Sequence, residues 1–182
     1  MASTAKQILE QYVLGKDKNQ YQVLETIFDD SAEVEFEIRS ENISFPQKIE
    51  GNKDIARILS KDFNKKYESV RTYYLEDVEL NSRNIDNQPW LVVMKEIGVD
   101  VTRIGTGYYN WEFLKTENDF KVSKLKIYIY EMLELVDSKS LILDEIQSKI
   151  KYPWPAILSV EKALNRYLKL KSVSEYINKY SR

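Results

Sequence analysis

The chain contains no cysteine and no histidine among its 182 residues. The absence of cysteine excludes disulfides, a thiolate nucleophile and cysteine-ligated zinc or iron–sulfur centres. The absence of histidine excludes the commonest general base near neutral pH, a Ser-His dyad and histidine-ligated metals. Any catalysis would have to use carboxylates, tyrosine, lysine or arginine. No aspartate-rich loop has the spacing of a calcium site, so we expect no metal and no cofactor.

Long apolar runs and a strong net charge are also missing. No stretch approaches the roughly 18 consecutive apolar residues that a membrane-spanning helix needs, and Met1–Lys16 lacks the apolar run of a signal peptide. The net charge is only −2, which gives no basic footprint for nucleic acid. The sequence therefore predicts a cytoplasmic protein that binds neither membranes nor nucleic acid.

The first third of the chain alternates between helical and strand periodicity. The spacing of an amphipathic helix occurs at Ala5, Ile8, Leu9, Tyr12 and Val13, and then at Tyr21, Leu24, Ile27 and Phe28. Ser3 or Thr4 can cap the first of these helices, and Gly15-Lys16-Asp17 should end it. Two strands are predicted next, a strictly alternating one over Glu33–Arg39 and a weaker edge strand over Ile43–Glu50. Asn52 then caps a third helix.

After Tyr67 the period changes to two, which predicts consecutive antiparallel strands. These strands are Ser69–Leu80, Trp90–Ile97, Val101–Leu114 and Phe120–Leu133, with the last hairpin turning at Glu117-Asn118-Asp119. From Asp137 onward the pattern is helical again. We therefore expect a domain over residues 1–136 and a helical C-terminal extension over residues 137–182.

The order of these elements resembles the nuclear transport factor 2-like superfamily, which includes SnoaL-like cyclases, ketosteroid isomerases and scytalone dehydratases. The resemblance rests on short motifs, which are Tyr12-Val13, the run Phe28-Asp29-Asp30-Ser31-Ala32, the run Gly51-Asn52-Lys53-Asp54-Ile55 and the hairpin around Glu117 to Val122. It implies an α+β fold, in which a cone-shaped curved antiparallel sheet packs on three N-terminal helices around a cavity. One such fold supports many chemistries, so the function has to be argued from the site.

Comparison with ketosteroid isomerase implies that part of a catalytic site is present and part is lost. The oxyanion-hole tyrosine of that enzyme falls on Tyr12, and its second oxyanion donor falls near Tyr109. Its general-base aspartate falls on Phe36, which cannot take a proton. Scytalone dehydratase requires a histidine, and this chain has none. No catalytic residue is therefore assigned.

The residues predicted to line the cavity follow from strand alternation. Tyr109, Trp111 and Phe113 share one face of the long strand, and Leu125, Ile127 and Ile129 share one face of the last. With Tyr12 and Phe36 added, the wall is aromatic and aliphatic, and it suits a small apolar ligand held by a few hydroxyls. The ligand-binding candidates are Tyr12, Phe36, Tyr109, Trp111 and Ile127. The alternative is that these side chains fill the cone as core.

The opposite face of the last strand carries Lys124, Lys126, Tyr128 and Tyr130. Tyrosines beside long lysine stems are compatible with an interface, and dimers in the superfamily form through this face. The C-terminal helices could cover the same surface instead, and the two alternatives compete.

Two functions of different class remain open at this stage. One is a non-catalytic module that binds a small apolar molecule or acts as a dimeric scaffold. The other is a small-molecule lyase, isomerase or hydrolase in which Tyr12 and Tyr109 polarise an oxygen and a carboxylate serves as base. A carboxylate at the cavity would favour the enzyme, whereas a wall of apolar groups and tyrosines would favour binding.

Overall fold

The computed structural model describes residues 3–117 and 119–180, which form one curved sheet with helices on both faces. The helices and helical turns are α1 (Ala5–Asp17), α2 (Tyr21–Ile27), α3 (Asn52–Ala56), a π turn (Arg57–Asp62), a 3₁₀ turn (Phe63–Lys65), α4 (Leu141–Lys149), α5 (Ile157–Leu164), a second 3₁₀ turn (Leu168–Leu170) and α6 (Lys171–Asn178). The strands are β1 (Phe28–Ile38), β2 (Lys48–Glu50), β3 (Tyr67–Tyr74), β4 (Asn84–Glu96), β5 (Val101–Lys115) and β6 (Phe120–Val136).

Helix α1 begins where its sequence predicts. The Thr4 hydroxyl accepts a hydrogen bond from the backbone N–H of Gln7, and the Gln7 side chain accepts one from the backbone N–H of Thr4. This reciprocal capping box satisfies two N–H groups that the helix leaves without partners. The predicted apolar stripe is buried on the sheet, at Ala5, Ile8, Leu9, Tyr12 and Val13.

The cap of α3 differs from the prediction. Gly51 is the N-cap, with a φ of 84° that glycine adopts without a side-chain clash. Asn52 is instead the first helical residue, and its side-chain amide donates to the carbonyl oxygen of Glu25 and to the carboxylate of Asp30. These bonds tie the helix to the end of α2 and the start of β1.

The sheet has the strand order β2-β1-β6-β5-β4-β3. The pair β1–β6 is parallel, with Phe36 opposite Ile127, and the other pairs are antiparallel. The predicted α+β cone on three N-terminal helices with a helical extension is confirmed, and the sheet is mixed rather than wholly antiparallel. The sequence pattern predicted antiparallel pairs between strands that follow one another along the chain. It could not reveal the parallel pair, because β1 and β6 are far apart in the sequence.

Several strand boundaries shift from those predicted. The edge strand β2 is limited to Lys48–Glu50. Just before it the Gln47 carbonyl oxygen still accepts a hydrogen bond from the Phe36 N–H of β1, whereas Pro46 has no N–H to donate. The strand predicted over Ser69–Leu80 ends at Tyr74 as β3. The last hairpin is present, with Lys115 opposite Phe120, although Asn118 of its predicted turn lies outside the described residues.

A bulge in β6, where Tyr130 has no opposite residue in β5, contributes to the curvature of the sheet. The register of β5 with β6 shifts between Thr106 and Gly107, and such a shift bends a strand and increases its twist. A Cβ atom on Gly107 would lie 1.8 Å from the carbonyl oxygen of Tyr128 and 2.6 Å from the ring of Trp90. Only glycine therefore fits at this bend.

Two apolar clusters lie on opposite faces of the sheet. On the inner face, α1, α2 and α3 pack against the sheet around the cavity. On the outer face, α4, α5 and α6 cover a second cluster, whose members from the strand region are Tyr73, Leu75, Leu91, Val93, Ile104 and Leu135. The described part of the chain contains no helix with the length and apolar character needed to cross a bilayer.

Candidate functional site

A cavity of about 50 Å³ lies between α1, the π turn and the inner face of the sheet. Its wall is mainly aromatic and aliphatic, formed by Tyr12, Lys16, Phe36, Ile43, Phe45, Leu59, Phe63, Thr72, Trp90, Val92, Met94, Tyr109, Ile127, Ile129 and Met132. Four of the five candidates from the sequence, Tyr12, Phe36, Tyr109 and Ile127, lie in this wall. The fifth, Trp111, is fully buried behind it.

Tyr12 is at the centre of an aromatic cluster. Its ring meets the rings of Tyr109 and Trp111 edge-on, with centroids 5.6 and 5.0 Å away, an arrangement that aromatic pairs favour. The Trp90 ring stacks on Tyr109, with the ring centroids 5.5 Å apart. Trp111 thus supports Tyr12 from behind and does not itself reach the cavity.

Two hydrogen-bond donors on residues of the cavity wall have no acceptor among residues 3–117 and 119–180. They are the Tyr12 hydroxyl and the indole N–H of Trp90, and both atoms are buried. Burial raises the pKa of Tyr12, and the neighbouring Tyr109 hydroxyl offsets part of that rise, so the Tyr12 hydroxyl stays protonated at neutral pH. Because an unpaired buried donor costs about 1–3 kcal/mol, both groups favour a bound acceptor atom.

A buried ion pair forms one end of the cavity. The Lys16 ammonium donates to Asp17 Oδ1 at 2.6 Å and to the Thr72 hydroxyl at 2.9 Å, and it lies 4.8 Å from the centre of the Phe63 ring. The side chain of Lys16 is only 9% exposed and that of Asp17 is fully buried. Lys16 and Thr72 line the cavity, whereas Asp17 lies behind them.

The carboxylate of Asp17 is saturated by four hydrogen bonds. Lys16 and the Thr72 hydroxyl donate to Oδ1, and the Thr72 backbone N–H and the Tyr152 hydroxyl donate to Oδ2. Tyr152 belongs to the segment between α4 and α5, so the C-terminal extension completes this cluster. No carboxylate lines the cavity among the residues that the structure describes.

A larger cleft of about 860 Å³ adjoins the cavity. Ile43, Phe45 and Phe63 line both spaces and therefore form the partition between them. The Phe45 ring stacks on Phe36 at 4.5 Å and on Phe63 at 6.3 Å. Phe45 and Ile43 both lie in the irregular segment between β1 and β2, but Phe45 is half-buried whereas Ile43 is buried, so Phe45 is the one of the two that is held less tightly.

Several solved structures are similar to this fold. A hexachlorocyclohexane dehydrochlorinase (LinA) Type2 has a TM-score of 0.57 at 19% identity, over 71% of this chain and 85% of that chain. The LinA-type3 enzyme from Novosphingobium barchaimii LL02 has a TM-score of 0.54 at 18% identity, over 71% and 86%. A computationally designed 17-OHP binder has a TM-score of 0.55 at 12% identity, over 72% and 98%. This chain has the nuclear transport factor 2-like fold.

The similarity concerns the fold alone at these identities. The sequence matches no protein-family model, and it has no significant match among curated proteins. The predicted resemblance to the nuclear transport factor 2-like superfamily is confirmed at the level of structure. The ligand and the chemistry of this member of the fold have to be argued from its own residues.

Sequence reasoning missed Lys16 and Asp17, which were interpreted only as the end of α1. A signal for their burial was present, because these positions follow Tyr12 and Val13 by one helical turn and so continue the buried stripe. The pattern was overlooked because charged residues rarely lie on a buried face unless they are paired. Phe45 was missed for a different reason, since it belongs to a loop without periodicity.

The outer face of this nuclear transport factor 2-like sheet is divided between two environments. The C-terminal helices cover its apolar part and reach Tyr130, whose ring lies 6.1 Å from that of Tyr176. Lys124, Lys126 and Tyr128 remain partly exposed beside that cover. The two alternatives that seemed to compete for the outer face therefore concern different parts of it.

Proposed function

We propose that the protein binds a small apolar molecule with a hydrogen-bond acceptor in the cavity. The apolar wall favours a hydrocarbon body, and the buried Tyr12 hydroxyl provides a donor for one acceptor atom. An apolar pocket with a few placed polar groups is the usual form of a small-molecule site. One structure with the same fold is a designed 17-OHP binder, which supports a binding role for such a cone.

The observation that carries this proposal is the absence of a carboxylate from the cavity wall within residues 3–117 and 119–180. Asp17, the nearest buried acid, has both oxygens engaged by four donors. A lyase, isomerase or hydrolase that uses tyrosine donors and a carboxylate base would need an acid in contact with its substrate. Binding is therefore better supported than this alternative.

The size of the cavity limits the ligand or requires the partition to move. An apolar cavity of about 150 Å³ takes up benzene, which is about three times the space present here. A molecule of a few heavy atoms suits the cavity as it stands. A larger molecule requires Phe45 to swing toward the cleft, which would join the two spaces into one site.

Replacing Tyr12 by phenylalanine tests the proposed donor. Tetrahydrofuran and cyclopentane have similar shape, and only the first carries an acceptor oxygen. In Tyr12→Phe, we expect the affinity ratio of tetrahydrofuran to cyclopentane to fall about 3- to 10-fold, which corresponds to one hydrogen bond of about 0.5–1.5 kcal/mol. Binding is measured by titration of the Trp90 indole NMR signal.

Tyr73→Phe is the matched control, because the Tyr73 hydroxyl is also buried and unsatisfied among the described residues but lies in the outer-face cluster. This variant should leave the ratio of tetrahydrofuran to cyclopentane affinity unchanged.

A second variant, Phe45→Ala, removes most of one side chain of the partition. Binding to Phe45→Ala but not to the wild type would show that the site exists and that its entrance is blocked. Absence of binding in both wild type and Phe45→Ala would contradict the proposed function.

We further propose that the exposed part of the outer face pairs two copies of the chain. Glutamates 33, 35 and 37 of β1 lie in a row beside Lys124 and Lys126 of β6. Within the chain, Lys124 lies 3.0 Å from Glu35, and Lys126 lies 3.7 Å from Glu37. A two-fold rotation would place the lysine row of one copy against the glutamate row of the other, so the surface is self-complementary.

Charge reversal tests this pairing. Lys124→Glu with Lys126→Glu should give a monomer, because like charges would then face each other across the two-fold axis. Glu35→Lys with Glu37→Lys should do the same, and a mixture of the two variants should restore a dimer. Sedimentation equilibrium measures the mass. A wild-type protein that is monomeric at every concentration, or a mixture that stays monomeric, would refute the interface.

A further inference from the structure

Lys16 is the one nucleophilic amine in the cavity wall of the described residues. Its side chain is 9% exposed and is held by Asp17 and Thr72. Two of its three N–H groups are used in these bonds. Purely structural lysines tend to extend their charged end to solvent, whereas this one ends beside the Phe63 ring and an apolar space.

The groups around the Lys16 amine are those that carbonyl chemistry requires. An amine attacks a carbonyl carbon only after it has lost a proton, and a buried lysine is the usual residue for such chemistry. The Asp17 carboxylate lies 2.6 Å from Nζ and can accept that proton along an existing hydrogen bond. The unpartnered hydroxyl of Tyr12 belongs to the same cavity wall and can donate to the carbonyl oxygen.

We propose that Lys16 forms a reversible imine with small aliphatic aldehydes that enter the cavity. One proton passes from the ammonium to Asp17, and the free amine then attacks the carbonyl carbon. The C=O π bond breaks, and its oxygen takes a second proton from the nitrogen to give a carbinolamine. Asp17 returns its proton through the Thr72 hydroxyl, which lines the cavity and is hydrogen-bonded to Asp17, to the departing hydroxyl. Water leaves, and the remaining iminium ion is paired with the Asp17 carboxylate. The net reaction consumes one aldehyde and releases one water.

This inference rests on the proposed function, because the aldehyde has to occupy the same cavity as the non-covalent ligand. It deepens that function by naming a ligand class and a residue that reacts with it. The apolar wall favours an aldehyde without charge, and the small volume favours a short chain.

Reductive trapping tests the inference on the intact protein. The protein is incubated with limiting butanal and cyanoborohydride, which reduces an iminium ion to a stable butyl-amine, and the modified lysines are identified by peptide mass spectrometry. Lys18 is exposed and lies two residues further along the chain, so it is an internal control on the same peptide. We expect Lys16 to be modified about tenfold faster than Lys18, because the cavity concentrates and orients the aldehyde.

A competitor and a variant complete the experiment. Excess tetrahydrofuran should protect Lys16 and leave Lys18 unaffected, and Asp17→Asn should slow modification of Lys16 in protein that remains folded. Modification of Lys16 no faster than that of Lys18 overturns the inference, and so does failure of tetrahydrofuran to protect it. If tetrahydrofuran binds while Lys16 stays unmodified, the imine is refuted and the binding function stands. If tetrahydrofuran does not bind either, both proposals fail.

Discussion

A chain that lacks residues 137–182 is expected to aggregate rather than to fold as an independent domain. The deletion would expose the outer-face cluster formed by Tyr73, Leu75, Leu91, Val93, Ile104 and Leu135. Burial of each such side chain contributes roughly 1.5–3 kcal/mol, and their sum is comparable to the whole stability of a typical domain, about 5–15 kcal/mol. Soluble yield, light scattering and thermal unfolding measure the effect.

A control for this deletion tests whether the extension stabilises the protein mainly by covering the apolar outer face of the sheet. In the shortened chain, Leu91→Gln, Val93→Thr and Ile104→Thr would make the exposed face more polar. If the extension acts chiefly as a cover, these changes should recover part of the soluble yield. A shortened chain that is soluble, cooperative and monomeric without them would contradict the expectation.

Asp17→Asn is expected to destabilise the protein by about 3–5 kcal/mol, because it leaves the buried Lys16 ammonium without its counter-charge. The change also disturbs the hydrogen bonds from Thr72 and Tyr152 that the carboxylate accepts. The free energy of unfolding, measured by urea titration, reports the loss.

The matched control is Asp77→Asn. Lys6 and Asp77 form an ion pair of the same length, 2.6 Å, but the Asp77 side chain is 74% exposed, so its loss should change stability little. The double variant of Asp17→Asn with Lys16→Met should recover part of the loss, because it removes the uncompensated charge as well. Equal losses for Asp17→Asn and Asp77→Asn would show that the buried pair has no special role.

The alternation of apolar residues indicates which side chains face inward, and four of the five residues chosen on that basis lie in the cavity wall. Period two along β1, β5 and β6 places Phe36, Tyr109 and Ile127 on the buried face, and the 3.6-residue period of α1 does the same for Tyr12. The same periods cannot show how far behind the wall a side chain lies, which is why Trp111 was included with the others. Depth depends on the curvature of the sheet, and the bulge opposite Gly107 that contributes to it has no counterpart in a period.

The C-terminal extension shows a second limit of sequence reasoning. Its helical pattern predicted α4 to α6, but not the surface that they cover. Tyr152 donates to Asp17, and the Trp154 N–H donates to Glu10 at 2.8 Å, so the extension reaches the first helix as well as the sheet. The division into a domain over residues 1–136 and a helical extension over residues 137–182 remains a prediction, and these contacts join the extension to the residues behind the cavity wall.

The sequence by itself determined the kind of elements, the apolar faces and the exclusion of cysteine and histidine chemistry, because these follow from composition and from periods of 2 and 3.6 residues. Only the tertiary structure decided the parallel pairing of β1 with β6, the hydrogen bonds from Thr72 and Tyr152 to Asp17 and the partition at Phe45. Each of these joins residues far apart in the chain or depends on a segment without periodicity. Local patterns therefore cannot reveal these features. They are determined by the free energy of packing in three dimensions.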